Sequence, residues 1–192
     1  MVRISELEEY AKENSVPIME KEGIEYITKY IKDNNIHSIL EIGSAIGYSA
    51  IQMALVDSDI FITTIERDKK RYDEAVKNID KFNLNNRIEI INDDALSISI
   101  DKKYDLIFID AAKSQYINFF NKYKDNLNDK AIIFSDNLNF HGLVNSDKKI
   151  ESRNVRGIVR KLNNYIDFLK DNDEFETEFL NIGDGISISK KK

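Results

Sequence analysis

Ile39-Leu40-Glu41-Ile42-Gly43-Ser44-Ala45-Ile46-Gly47, running on into Tyr48-Ser49-Ala50, is the stretch that decides the fold. A short apolar run that meets two glycines and then a helix-permissive segment reads as a buried strand, a tight turn and a helix. Further along, Leu106–Lys113 (LIFIDAAK) and Ala131–Asn137 (AIIFSDN) repeat the pattern, each an apolar run ending on small polar residues. Strands that bring glycines, carboxylates and a carboxamide to one edge outline an active site, because an open parallel sheet binds its ligands beyond the carboxyl ends of its strands.

The rest of the chain fits around that sheet. Ile24, Ile27 and Ile31 recur at helical spacing and predict an amphipathic helix ahead of the first strand, Ser38–Ile42. Further strands are expected at Ile60–Ile65, Arg87–Ile91, Tyr104–Asp110 and Ala131–Ser135, with helical segments near Tyr48–Val56, Lys69–Phe82 and Gln115–Asn126. Such alternation builds βαβ units and parallel pairing. After a helix near Val155–Lys170 the pattern changes: Phe175–Leu180, the turn Asn181–Gly185 and Ile186–Ser189 read as a hairpin, so one strand should run antiparallel. Lys190–Lys192 is expected to be a solvated tail.

Composition narrows the function classes. A chain of 192 residues, 42% hydrophobic, suits one globular domain over 1–192. Its net charge of -6 opposes non-specific adhesion to polyphosphate and leaves room only for a local basic face toward RNA. No apolar run is long enough to span a membrane and Met1–Glu9 is too charged for a signal peptide, which predicts a cytoplasmic protein. The chain has no cysteine and two histidines, so a metal would need mainly oxygen ligands.

The Glu41-x-Gly43-x-x-x-Gly47 spacing is not the G-x-G-x-x-G that grips a pyrophosphate, which argues against NAD or FAD. Gly43 is expected to let the backbone approach a ligand with which any Cβ would collide, and Gly47 to let the next helix pack close to the strand. The next strand ends at Glu66, placed to accept the hydroxyl hydrogens of a ribose, and Asp93-Asp94 after the third strand supplies a carboxylate for an adenine amino group. Together these suggest S-adenosylmethionine. Asp110, Asp136 and Asn137, at adjacent strand ends, form an oxygen set suited to Mg²⁺. Lys113, three residues beyond Asp110, is either its ion-pair partner or a general base. Tyr116, Phe119, Phe120 and Tyr123 read as core, and His37 and His141 have no supporting ligand spacing.

EIGSAIGYSA, IERD, FIDAAKSQY, SDN and GDGISI, in this order and spacing, resemble the cation-dependent class I O-methyltransferases, the group that includes catechol and caffeoyl-coenzyme A O-methyltransferases. The resemblance runs from Val16 onward. Leu7–Gly23 and FIDAAKSQYINFF are closer still to the bacterial tRNA 5-hydroxyuridine methyltransferases, which make 5-methoxyuridine at the wobble position. The resemblance implies an α/β Rossmann-like sheet of seven strands, order 3-2-1-4-5-7-6 with strand 7 antiparallel, in a homodimer. It puts Met19, Gly43, Ser49, Glu66, Asp94 and Asp110 on cofactor positions and Asp110, Asp136 and Asn137 on Mg²⁺, with Lys113 as the catalytic lysine beside Asp110. Two features depart from the family. Asp93 stands where a glycine is usual, and the chain starts late, without the N-terminal helical residues of larger relatives.

Three functions are therefore expected in turn. The tRNA anticodon is the first, with Arg153, Arg156, Arg160 and Lys161 either meeting phosphates or forming an ordinary solvated helix face. A small catechol-like molecule is the second. A catalytically silent adenosylmethionine-binding module is the third, and intact Asp110, Lys113, Asp136 and Asn137 argue against it.

Overall fold

The structure, a computed structural model, describes residues 3–140, 142–144 and 152–192. Its centre is a seven-stranded sheet in the order β3-β2-β1-β4-β5-β7-β6. The strands are β1 (Ser38–Ile42), β2 (Phe61–Ile65), β3 (Ile88–Ile91), β4 (Tyr104–Ile109), β5 (Leu127–Ser135), β6 (Phe175–Leu180) and β7 (Ile186–Lys191). β1 to β5 pair in parallel, and β7 runs antiparallel to both β5 and β6. The Rossmann-like α/β sheet, its strand order and its single reversed strand match the expectation.

Helices cover both faces, which is why the strands read as nearly unbroken apolar runs. On one face α1 (Ile4–Glu13), α2 (Lys21–Asp33), α3 (Tyr48–Ala54) and α4 (Lys69–Lys81) contribute to a core with Ile39, Ile62, Phe108 and Phe134. On the other, α5 (Tyr116–Tyr123) and α6 (Arg153–Lys170) pack over Leu40, Ile42, Ile107 and Ile133. Tyr116, Phe119, Phe120 and Tyr123 are buried here, the core role expected of them. Asp68 caps α4, its carboxylate accepting from the amides of Lys70 and Arg71 at 2.9 and 3.0 Å.

Three details depart from expectation. Ile4–Glu13 forms a helix whose Leu7 and Ala11 are buried; the alternation of charged and apolar residues there conceals a one-sided stripe. Lys190 and Lys191 are not tail but strand: Lys190 pairs with Ile132 on one side and Glu176 on the other. Backbone pairing holds these lysines while their side chains stay exposed, so polarity alone misleads there. β5 also begins earlier than Ala131, because the polar residues 128–130 lie on the exposed start of the strand. His141 lies outside the described residues.

Candidate active site

The Gly43–Gly47 turn is set by backbone crowding. Gly43 has φ +99°, and a Cβ on it would lie 2.1 Å from the main-chain oxygen of Asp110. The amide of Gly43 donates to Ile65 O at 2.9 Å and that of Asp110 to Ile42 O at 3.0 Å, so the ends of β1, β2 and β4 are laced together. The neighbouring strand end by itself therefore requires glycine here, and Gly43 also lines the cleft. Gly47 (φ +81°) precedes α3, and a Cβ on it would lie 3.4 Å from Ala75 Cβ of α4, so the close approach it allows is to that helix.

Two carboxylates flank this turn. Glu66, 7% exposed, accepts from the amides of Ala45 (2.9 Å) and Asp68 (2.7 Å), one on each oxygen, which leaves lone pairs for a ligand's hydroxyls. Glu41 is fully buried on β1 and accepts from the hydroxyls of Ser49 on α3 and Thr64 on β2. Burial pushes its pKa up to about 7, with the Asp110 and Glu66 charges adding to the rise and the two hydroxyls opposing it. Asp94 accepts from the Leu96 amide at 2.9 Å and faces Arg67 at 3.4 Å, while Asp93 accepts from the Asp94 amide at 2.7 Å.

The second group sits where β4 and β5 end. Lys113, in a single 3₁₀ turn before α5, reaches back so that Nζ lies 3.3 Å from Asp110 Oδ1 and donates to Asn137 Oδ1. Asn137 Nδ2 donates to Asp136 Oδ2 at 2.8 Å, and the Asn137 backbone is left-handed (φ +61°), which turns its carboxamide toward Lys113. Tyr116, fully buried, donates its hydroxyl to Asp136 O at 3.1 Å and sets its ring 5.6 Å beneath Nζ. Burial first and the Asp110 charge second push the Asp136 carboxyl up to about 8, an environment that asks for positive charge.

Two carboxylates and a carboxamide oxygen, two of these groups bridged by the Lys113 ammonium, form an oxygen set that fits a hard dication. Among the described residues no three His, Cys, Asp or Glu side chains group as a metal site, so a cation here would draw on the amide oxygen of Asn137 as well.

Both groups adjoin one cleft of about 710 Å³, lined by Gly43, Glu66, Asp94, Asp110, Lys113 and Asn137, with Ile18, Leu96 and Phe119 as apolar walls. Asp136, hydrogen-bonded to Asn137 of the lining, does not itself line it. Two residues expected at the cofactor stand further back. Met19 is 3% exposed and packs in the core near Gly23, and the Ser49 hydroxyl is engaged by Glu41. The sequence reading named Glu41 only as the start of the turn motif and gave it no partners, although a carboxylate inside an apolar run was the available signal. It also took Tyr116 for core alone, its hydroxyl contact being a matter of three-dimensional packing. Arg153, Arg156, Arg160 and Lys161 are exposed on the first turns of α6, a helix that packs against the Lys113–Gln115 turn. No helix among the described residues is long and apolar enough to cross a membrane.

Residues 2–192 match the profile of a family described as O-methyltransferase. A Staphylococcus aureus protein provisionally described as a caffeoyl-CoA O-methyltransferase has a crystal structure that superposes with a TM-score of 0.94 at 40% identity, covering 100% of this chain and 93% of that one. A caffeoyl-CoA O-methyltransferase of Populus kitakamiensis is 28% identical over 189 residues, 92% of this chain and 78% of its own. A flavonoid 3′,5′-methyltransferase of Vitis vinifera is 28% identical over 190 residues, again 92% and 78%. A Podospora anserina methyltransferase with S-adenosylhomocysteine bound shares the fold, with a TM-score of 0.90 at 22% identity over 98% of this chain and 87% of that one.

Proposed function

The chain belongs to the O-methyltransferase family, and on that premise we propose that it transfers the methyl group of S-adenosylmethionine to the 5-hydroxyl of 5-hydroxyuridine at the wobble position of tRNA. The observation that carries the reaction class is the Lys113 ammonium held between Asp110 Oδ1 and Asn137 Oδ1 at the floor of the cleft, beside the Glu66 subsite.

Adenosylmethionine supplies an electrophilic methyl on a sulfonium, and a Mg²⁺ held by Asp110, Asp136 and Asn137 would supply Lewis acidity toward neighbouring oxygens of the substrate. The protein's own residues do the rest. Glu66 accepts the ribose hydroxyls and fixes the donor's position along the cleft. Asp94 reaches the adenine end. Lys113 Nζ, entering the step as the neutral amine after losing a proton to solvent, takes the proton of the attacking hydroxyl as the oxygen–carbon bond forms and the carbon–sulfur electron pair stays on sulfur. Ile18 and Phe119 keep water from the reacting line, and the backbone lacing at Gly43 holds both subsites in one orientation, an effect worth up to ~7–11 kcal/mol in favourable cases.

RNA as substrate is supported by the basic stripe on α6. Arg153, Arg156 and Arg160 follow at i, i+3 and i+7, exposed, on the helix that packs against the catalytic turn, so phosphates gripped there would flank the cleft. The 5-hydroxyl and O4 of the base offer the adjacent oxygen pair that the proposed metal site calls for. A second reading, methylation of a small catechol-like molecule, is favoured by the names of the Populus and Vitis relatives and by the net charge of -6. Nucleoside mass spectrometry of tRNA from cells with and without the gene separates them. Loss of 5-methoxyuridine with build-up of 5-hydroxyuridine is expected, and an unchanged nucleoside profile would leave the small-molecule reading in its place. We further propose a cytoplasmic homodimer.

A further inference from the structure

The crossover from β3 to β4, residues 92–103, carries no helix. Serine and isoleucine alternate over residues 97–100, a period of two that suits extended chain rather than the 3.6 of a helix. The segment is tied toward α5 instead: Lys122 donates to Ile98 O at 2.5 Å, and Asn126 to Ile100 O and Lys102 O at 2.6 and 2.8 Å. Beside it a groove of about 480 Å³ opens at the amino ends of the strands, on the edge of the sheet opposite the catalytic cleft. Phe61 and Thr63 share one face of β2, Glu89 stands beside Thr63 on β3, and Tyr104 joins them from β4.

The groove has an unusual mixture of groups. Phe61 is 58% exposed, a large ring left uncovered inside a recess. Tyr104 is 3% exposed, and its hydroxyl, near Thr63 but outside hydrogen-bonding geometry, has no partner. Arg87, Lys102 and Lys103 line the groove against one carboxylate, Glu89, so positive charge is in surplus. Arg87 is engaged by the carbonyls of Ala54 and Asp57 at 2.6 and 2.7 Å and Lys102 by Glu89 at 2.8 Å, whereas the Lys103 ammonium has no ion-pair partner among the described residues. Asn86 adds a carboxamide able to donate and accept. A bare ring beside surplus cations and amide groups matches a nucleotide, whose base stacks on the ring while its phosphate meets an ammonium. An apolar peptide would cover the ring and leave the cations unanswered. We propose that this groove holds a single-stranded stretch of the RNA substrate, with one base on Phe61 and its phosphates on Lys102 and Lys103. The choice of RNA rests on the tRNA reading of the cleft. Phe61 and Ile65 lie about 13 Å apart along β2, far less than the length of a tRNA arm, so one RNA molecule reaches both edges of the sheet.

Fluorescence anisotropy with a labelled oligouridylate octamer tests the groove directly. Phe61→Ala, and the pair Lys102→Ala with Lys103→Ala, should each weaken octamer binding on the order of tenfold, and the pair should lower the slope of log affinity against log salt by about 1. Phe61→Tyr should bind as the unaltered protein does and Phe61→Leu as Phe61→Ala does, a split that loss of apolar bulk alone would not produce. In tRNA methylation Phe61→Ala and the lysine pair should raise KM several-fold, with kcat and adenosylmethionine affinity unchanged. Octamer binding indifferent to these changes would overturn the inference, as would Phe61→Leu binding as tightly as the unaltered protein. Uridine monophosphate displacing the label as efficiently as unlabelled octamer would also overturn it, by marking a pocket for free nucleotides. The two readings fail separately. An unaltered protein that binds the octamer through Phe61 yet leaves hydroxyuridine-containing tRNA unmethylated would support the groove and overturn the tRNA assignment, whereas methylation with KM unmoved in the variants would overturn the groove alone.

Discussion

A Cβ at position 43 would meet the main-chain oxygen of Asp110 at 2.1 Å, so the cofactor turn and the proposed metal-ligand strand share one point of backbone contact. Gly43→Ala should therefore cost about 3 kcal/mol or more, through the clash and through a φ of +99° that an L residue resists. Thermal denaturation checks this; a variant as stable as the parent would show that the two strand ends can part without loss.

Glu66→Ala should weaken adenosylmethionine binding by roughly 10–100-fold, the equivalent of one or two charge-assisted hydrogen bonds to ribose. Equilibrium binding reads it directly. NAD should bind far less tightly than adenosylmethionine, because the turn lacks the spacing that grips a pyrophosphate.

Removing divalent cations with a chelator should abolish turnover, and Mg²⁺ should restore it. Asp136→Ala should lose most turnover while adenosylmethionine still binds, since Asp136 pairs with Asn137 and, unlike Glu66, does not line the cleft. Full activity in chelator would remove the metal from the mechanism.

Lys113→Met keeps the length of the side chain and removes the proton acceptor. Turnover should fall by roughly 10²–10⁴-fold at neutral pH with adenosylmethionine affinity little altered, and part of the loss should be recovered at higher pH, where the substrate hydroxyl ionises unaided. A pH–rate profile of unchanged shape would argue that Lys113 only pairs with Asp110.

Arg153→Ala combined with Arg156→Ala should raise the KM for tRNA and lower the slope of log affinity against log salt by about 1–2, because fewer counterions are released. An unaltered slope would mark this helix face as ordinary surface.

The ligand-free protein should lose stability as pH rises from about 4.5 to about 7. Over that range the unfolded chain ionises Glu41 while the folded chain keeps it protonated, a difference on the order of 3 kcal/mol that is complete above about 7. Asp136, also raised, contributes in the same direction. Urea denaturation across pH 5–8 should show a shallower decline for Glu41→Gln than for the parent.

The sheet was legible in the sequence because strands covered on both faces must be largely apolar, and Leu106–Ile109 and Ile132–Phe134 are wholly so, while Ile39–Ile42 is interrupted only by Glu41. The polar residues that end them, Asp110, Asp136 and Asn137, could be placed for the same reason: parallel strands finish on one edge. What escaped was whatever depends on contacts between distant elements. Nothing local says that Gly43 is forced by Asp110, that Ser49 turns inward to Glu41, or that the Tyr116 hydroxyl reaches Asp136 O. The lysines at 190 and 191 were misread because strand pairing uses backbone atoms, to which side-chain polarity is indifferent.

The insertion of β7 between β5 and β6 bears on how the enzyme comes into being. β5 delivers Asp136 and Asn137, yet on that side its backbone has no neighbour until Ser135 finds Ser187 and Phe134 finds Ile188. During synthesis the strand carrying the proposed metal ligands thus leaves the ribosome well before the strand that steadies it. Until then its open edge invites wrong pairing. Catalytic competence is in effect postponed to the last stage of assembly, and a ribosome that stops short of β7 releases a chain with the site's sequence but without its support.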